Sequence, residues 1–144
     1  MGDETIRGVL DTNIIILRGA IPADELPAEM AISAVTLAEL SAGVNSVPGD
    51  SPDAVRERAR RVAILQRTER EFDPLPFDAA AARMYGLLTA GLLSIGRTPR
   101  RRVADLMIAS IAASQGLPLY TTNPSDYEGI GEYVQVVPVT RPHV

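Results

Sequence analysis

The stretch Gly8-Val9-Leu10-Asp11-Thr12-Asn13, followed by Ile14-Ile15-Ile16-Leu17, limits the fold more than any other part of the chain. A short apolar run that ends in an acid, then small polar residues, then a second apolar run predicts a buried strand that hands a carboxylate to the start of a helix. In open parallel sheets, ligands bind beyond the carboxyl ends of the strands, so Asp11 stands where a metal or substrate would be met. The same position also suits a helix cap, the ordinary task of such residues. Both readings remain open on this stretch alone.

The remaining chain predicts the alternation that a parallel α/β sheet needs. A helix at Ile14–Arg18 should end at Gly19, and Ile21–Met30, with Pro22 and Pro27, reads as loop or a broken turn. Ala31–Val35 reads as a strand, with Thr36 capping a helix over Leu37–Ala42. Asp53–Phe72 is predicted as a long amphipathic helix with its stripe at Val55, Ala59, Val62 and Ala63. Pro74–Phe77 suits at most an edge strand. Asp78 should cap a helix over Ala79–Leu93, apolar nearly all round, which must be buried or lie in a dimer interface, with core the preferred reading. A helix over Val103–Gln115 ends at Gly116, and Leu117–Tyr120 and Val134–Val139 are the last strands.

Length and composition bound the chemistry. The 144 residues suit one domain spanning 1–144, and 46% hydrophobic content can fill a core. No apolar run reaches the roughly 18 residues of a membrane span, and the start Met1-Gly2-Asp3-Glu4 lacks a signal peptide's basic lead, which predicts a cytoplasmic protein. There is no cysteine, and the one histidine is His143. Thiolate chemistry is thereby removed, and histidine triads or zinc sites would depend on a chain end. All 14 basic residues are arginine. Without lysine there is no P-loop and no Schiff base. Carboxylates, hydroxyls, amides and arginines are what remain.

Three more acids occupy addresses like that of Asp11. Glu39 lies just past the second strand, where Thr36-x-x-Glu39 also reads as a capping box. Asp105 leads the apolar stripe Ile108, Ala109 and Ala112, pointing toward the core side, where an acid needs a partner; it also suits the helix dipole. Asp126 follows Thr121-Thr122-Asn123-Pro124-Ser125 at another strand tip, a segment that equally makes an ordinary turn. Four carboxylates in one place repel and would be driven to protonate unless a cation joins them. Magnesium, which prefers oxygen ligands, fits such a set, and one or two ions would support phosphodiester hydrolysis. At a net charge of −4, attraction to a polyanion would rest on that metal and on the arginine loop Arg97, Arg100, Arg101 and Arg102.

Taken together, Leu10-Asp11-Thr12-Asn13, Glu39 within Thr-Leu-Ala-Glu-Leu, Asp105-Leu106-Met107-Ile108-Ala109 and Thr121 to Tyr127 resemble the PIN-domain nucleases, most closely the VapC toxins of bacterial toxin–antitoxin pairs. The resemblance spans nearly the whole chain. It implies a PIN-like three-layer α/β fold, with a central parallel sheet of four or five strands and helices on both faces. It further implies a homodimer that cleaves RNA and a VapB-like antitoxin that wraps the toxin and blocks its site. Asp11, Glu39, Asp105 and Asp126 match the acidic quartet that holds Mg2+ or Mn2+, with Asn123 as the alternative fourth ligand. Thr12, Asn13, Thr121 and Asn123 match supporting positions, and Tyr127 stands where phenylalanine is usual. The apolar run Ile14–Leu17 is the candidate antitoxin groove. An RNA-processing or DNA-acting PIN nuclease is the alternative to a toxin.

Two other classes compete. Phosphatases and receiver domains also carry an aspartate at a strand tip, but they employ a lysine that this chain lacks, and phosphatases want a second aspartate where Asn13 stands. A catalytically dead binding module would have no reason to carry all four acids.

Overall fold

The computed structural model describes residues 6–143, and for Arg101 the backbone alone, so the acidic start Met1–Glu4 lies outside the described residues. Its sheet has four parallel strands in the order β2-β1-β3-β4: β1 (Arg7–Leu10), β2 (Glu29–Ala31), β3 (Leu119–Thr121) and β4 (Val136–Pro138). From β1 the chain moves to β2 on one side, then returns much later as β3 on the other. The carboxyl ends of β1 and β3 therefore form the switch point of the sheet, the crevice where ligands of such folds bind.

Alternation along the strands builds a core on each face. Val9 and its register partner Leu119 face α4 (Ala79–Ser94) and α5 (Val103–Ser114), packing with Leu88, Leu92 and Ile108. Leu10 and its partner Tyr120 face the other way, toward α1 (Thr12–Leu17), α2 (Ala34–Val44) and α3 (Pro52–Glu71), through Ile14, Ile15, Leu40 and Ile64. Three layers result, with α4 packed on α5 and α2 on α3. Truncating a fully buried member such as Leu88 or Leu119 to alanine would cost roughly 2–5 kcal/mol. Among the described residues no helix is long and apolar enough to cross a membrane.

Several predicted boundaries move, each for a local reason. The second strand ends at Ala31 rather than Val35, because Ser33 accepts a hydrogen bond from the Thr36 amide at 3.1 Å and starts α2 at Ala34. The segment before β2 contains two short 3-10 turns, Arg18–Ala20 and Ala23–Glu25. On α3 the buried positions are Ala54, Ile64 and Thr68, whereas Val55, Ala59 and Ala63 face solvent. Arginines set that rotation: Arg61 donates to the Gly43 carbonyl at 2.7 Å and Arg58 to the Val47 and Gly49 carbonyls, turning that side of α3 toward the end of α2. Helix α4, capped by Asp78 as expected, buries Ala81, Leu88 and Leu92 but leaves Leu87 and Leu93 about half exposed, so it is not wholly core. Pro74–Phe77 contributes a single bridge, Leu75 to Ser33.

Candidate active site

Asp11 is the first residue past β1. Its amide donates to the Tyr120 carbonyl of β3 at 3.0 Å, and its Oδ1 accepts from the Ile14 amide at 3.2 Å, capping α1. Capping and site placement thus coexist: one carboxylate oxygen is used by the helix, and the group is 5% exposed at the switch point. The next residue extends the site sideways. Thr12 Oγ1 donates to Glu39 Oε1 at 2.5 Å and stands 3.0 Å from Thr36 Oγ1, which lies 3.5 Å from Ser33 Oγ. The capping-box explanation of Glu39 therefore fails. Ser33, not Thr36, caps α2, which places Glu39 in the second turn with its carboxylate turned to Thr12.

The other two acids arrive from the opposite side of β3. Asp105 stands in the first turn of α5, half-buried. Asp126 lies in the 3-10 turn Pro124–Tyr127, which begins where the Thr121 hydroxyl accepts from the Asn123 amide at 2.9 Å. That turn is drawn against α4 through two glycines. A Cβ on Gly91 would stand 2.8 Å from the Gly129 carbonyl oxygen, and Gly129 itself has φ of +92°, which only glycine adopts readily. Asp126 forms a short ion pair with Arg102, and the ring of Tyr127 packs beneath at 4% exposure.

Electrostatics tie the four acids together. Burial pushes the Asp11 carboxyl up; the Thr121 hydroxyl and Ile14 amide pull it back, and the charges of Asp126 and Glu39 raise it further. Asp105 is pushed up to about 6, first by burial and then by Asp126, Glu39 and Asp11, with Arg102 opposing. The Tyr127 phenol is also raised, by burial and by all four acids. Carboxylates with such mutual penalties, an oxygen-only donor set and a buried Tyr127 hydroxyl without a hydrogen-bond partner fit a hard divalent cation. As the side chains stand, no three acidic or histidine groups among the described residues are close enough to enclose an ion. Two of the carboxylates are engaged elsewhere, Glu39 by its hydrogen bond from Thr12 and Asp126 by its ion pair with Arg102.

Not every residue marked in the sequence joins this cluster. Asn13 is exposed, and the amide group of Asn123 makes no hydrogen bond among the described residues; its backbone amide serves the turn instead. Arg97 is committed to the segment after Asp126, donating to Glu128 Oε2 at 2.7 Å and to the Ser125 carbonyl at 3.2 Å, so it braces the loop. Arg100 is exposed beside the acids, and the side chain of Arg101 lies outside the described residues. The Ile14–Leu17 run is mostly core: Ile14 and Ile15 are 0% and 1% exposed, and Ile16 alone opens outward, at 37%. Ser33, Thr36 and Arg102 as the partner of Asp126 were not predicted for these roles. Ser33-x-x-Thr36 offered the same capping spacing as Thr36-x-x-Glu39, and only the strand's early end separates them.

Comparison with known proteins agrees with this arrangement. Residues 8–132 match the family described as PIN domain. The chain is 40% identical over 117 residues to Ribonuclease VapC5 of Mycobacterium tuberculosis, covering 79% of this chain and 81% of that protein. It is 35% identical over 103 residues to the tRNA(fMet)-specific endonuclease VapC of Shigella flexneri, covering 72% and 70%. Among solved structures, VapBC-5 of M. tuberculosis superposes with a TM-score of 0.73 at 33% identity, over 92% of this chain and 98% of that one. VapBC-1 of nontypeable Haemophilus influenzae gives 0.65 at 28% identity, over 92% and 98%. With four acids at the switch point of a four-stranded parallel sheet and relatives of this similarity, the chain belongs to the PIN-domain family, in its VapC group.

Proposed function

We propose that the chain is a metal-dependent endoribonuclease, the toxin of a cytoplasmic toxin–antitoxin pair, acting as a homodimer and silenced by a VapB-like antitoxin. The observation that carries the reading is that Asp11 and Asp105 are both pushed above their ordinary ionisation range, first by burial and then by the charges of the same two neighbours, Asp126 and Glu39. Acids from four separate chain segments share one field, which is costly unless a cation uses it. The relatives named ribonuclease and endonuclease, and the neighbours solved as VapBC toxin–antitoxin complexes, support the substrate and the partner.

Asp11, Glu39, Asp105 and Asp126 would hold magnesium, with manganese as the alternative. When bound, such an ion activates water and neutralises the charge that gathers on phosphate during hydrolysis. The protein's own groups do the rest. The Ile14 amide fixes one oxygen of Asp11, leaving the other for the site, and the Thr12 hydroxyl orients Glu39. Arg100 and Arg102, on the rim beside Asp126, draw in the backbone of a polyanion that the acids alone would repel. In the reaction a water oxygen bonds to phosphorus as one phosphorus–ester oxygen bond breaks, leaving a phosphate on one fragment and a hydroxyl on the other.

Incubating bulk RNA with the protein in Mg2+, and then in EDTA, tests the reading. Cleavage should require the ion, and Asp11→Asn and Asp105→Asn should each abolish it while the circular dichroism spectrum stays native. Full activity in either variant would remove the proposed site.

A further inference from the structure

Beside the acids lies a hollow of about 270 Å3; the mechanism above uses the arginines of its rim but not its apolar interior. Its floor is apolar, made by Leu92, Leu106 and Ile130, and its rim carries Arg100 and Arg102. Asp126 and Tyr127 form the wall it shares with the acidic cluster, and the Tyr127 hydroxyl is buried with no hydrogen-bond partner among the described residues. A bare phosphate would leave the apolar floor unused, and an aliphatic side chain would leave the cationic rim unused. A ring with a polar edge, flanked by phosphates, matches both.

We propose that this hollow receives one unpaired nucleobase of the substrate RNA, adjacent to the phosphodiester that is cut; the proposal rests on the ribonuclease reading. Bases swung out of a strand are commonly held by stacking on aromatic or guanidinium planes with hydrogen bonds along their edges. Here the ring lies over Leu92, Leu106 and Ile130, and the neighbouring phosphates meet Arg100 and Arg102. Cleavage is thereby confined to nucleotides free to leave a helix.

The test maps the favoured cut in total RNA by sequencing the new ends, then uses a short single-stranded oligoribonucleotide that spans it. Versions with one abasic site are compared position by position for kcat/KM in Mg2+. One position next to the cut should lose about tenfold or more, the scale of a lost stacked base, and its neighbours little. Thr98→Trp, an exposed rim position that would fill the mouth with an indole, should cut the intact oligonucleotide as poorly as the abasic one. Arg100→Ala should weaken all versions equally. If RNA is cut and the abasic scan is flat, or if Thr98→Trp keeps the full preference, the base site is overturned and the nuclease reading stands. If no RNA is cut in Mg2+ or Mn2+, the nuclease reading falls and takes the base site with it.

Discussion

Arg102 and Asp126 are joined in an ion pair at the edge of the acidic cluster, so a guanidinium holds the carboxylate that a metal would need. The pair is partly exposed, at 48% and 24% of the two side chains, and can open at little cost. It links the two charges that an RNA strand and a cation would each claim. Replacing the arginine should therefore separate the two kinds of binding. In Arg102→Gln, calorimetric titration should find Mn2+ bound several-fold more tightly, since Asp126 is released and no positive charge opposes the ion. The same variant should bind RNA more weakly, with a salt dependence reduced by about one phosphate contact. Unchanged metal affinity would mean that the pair does not compete with the ion.

Asp105 carries its charge against the grain of its surroundings. Its folded carboxyl stands at about 6 against an ordinary 3.8. A raised folded value means that the native state holds the proton more tightly, so the stabilising contribution is complete below 3.8, fades between 3.8 and about 6, and is gone above. Asp105→Asn, which never ionises, should then melt higher than the wild type in EDTA at pH 7.5, on the order of 2–5 °C. The gap should shrink at pH 5. Added Mg2+ should stabilise the wild type and leave the variant nearly unmoved. A gap that is the same at both pH values would show that Asp105 is not strained.

What the sequence made legible follows from how local each signal is. Asp11 could be placed because an apolar run, an acid and a second apolar run lie within ten residues, and the strand and helix formed as those residues dictate. Asp78 and Gly116 acted as helix punctuation for the same reason. Glu39 was harder, since two capping patterns overlap at Ser33 and Thr36 and tertiary pairing of β2 with β1 decided between them. Burial was the least legible. The α3 stripe turned because Arg61 reaches a backbone carbonyl in the last turn of α2 and Arg58 two in the turn after it, and Ile15 vanished into the core while Ile16 did not. Neither contact is written in the spacing of apolar residues.

The hydroxyl chain from Ser33 through Thr36 to Thr12 ends on Glu39, which makes Thr36 a positioning residue with no reach to substrate. It is fully buried. Thr36→Val keeps the shape but deprives Thr12 of one partner, at a cost of about 1–2 kcal/mol in stability. Glu39, held by a Thr12 hydroxyl that has lost its own anchor, should wander, and kcat should fall several-fold with KM for RNA nearly constant. Thr36→Ser, which restores the hydroxyl, should recover most of the rate. Equal rates for the valine and serine variants would reduce Thr36 to packing.

Ile15 and Ile16 are neighbours with opposite surroundings, and this decides how an antitoxin contact on α1 can be probed. Ile15 is 1% exposed among Leu10, Leu40 and Ile64, so an aspartate there would bury an unpaired charge and unfold the protein. Ile16 is 37% exposed and lines a hollow with Thr12, Glu39, Leu40 and Ile64, immediately beside the acids. A partner segment lying there would cover the site. Ile16→Asp should weaken binding of the cognate antitoxin about tenfold or more, the scale of losing an apolar anchor and gaining a desolvated charge. Melting temperature and Mg2+-dependent cleavage by the free toxin should stay close to wild type. Antitoxin affinity unchanged in a folded Ile16→Asp protein would move the contact away from α1.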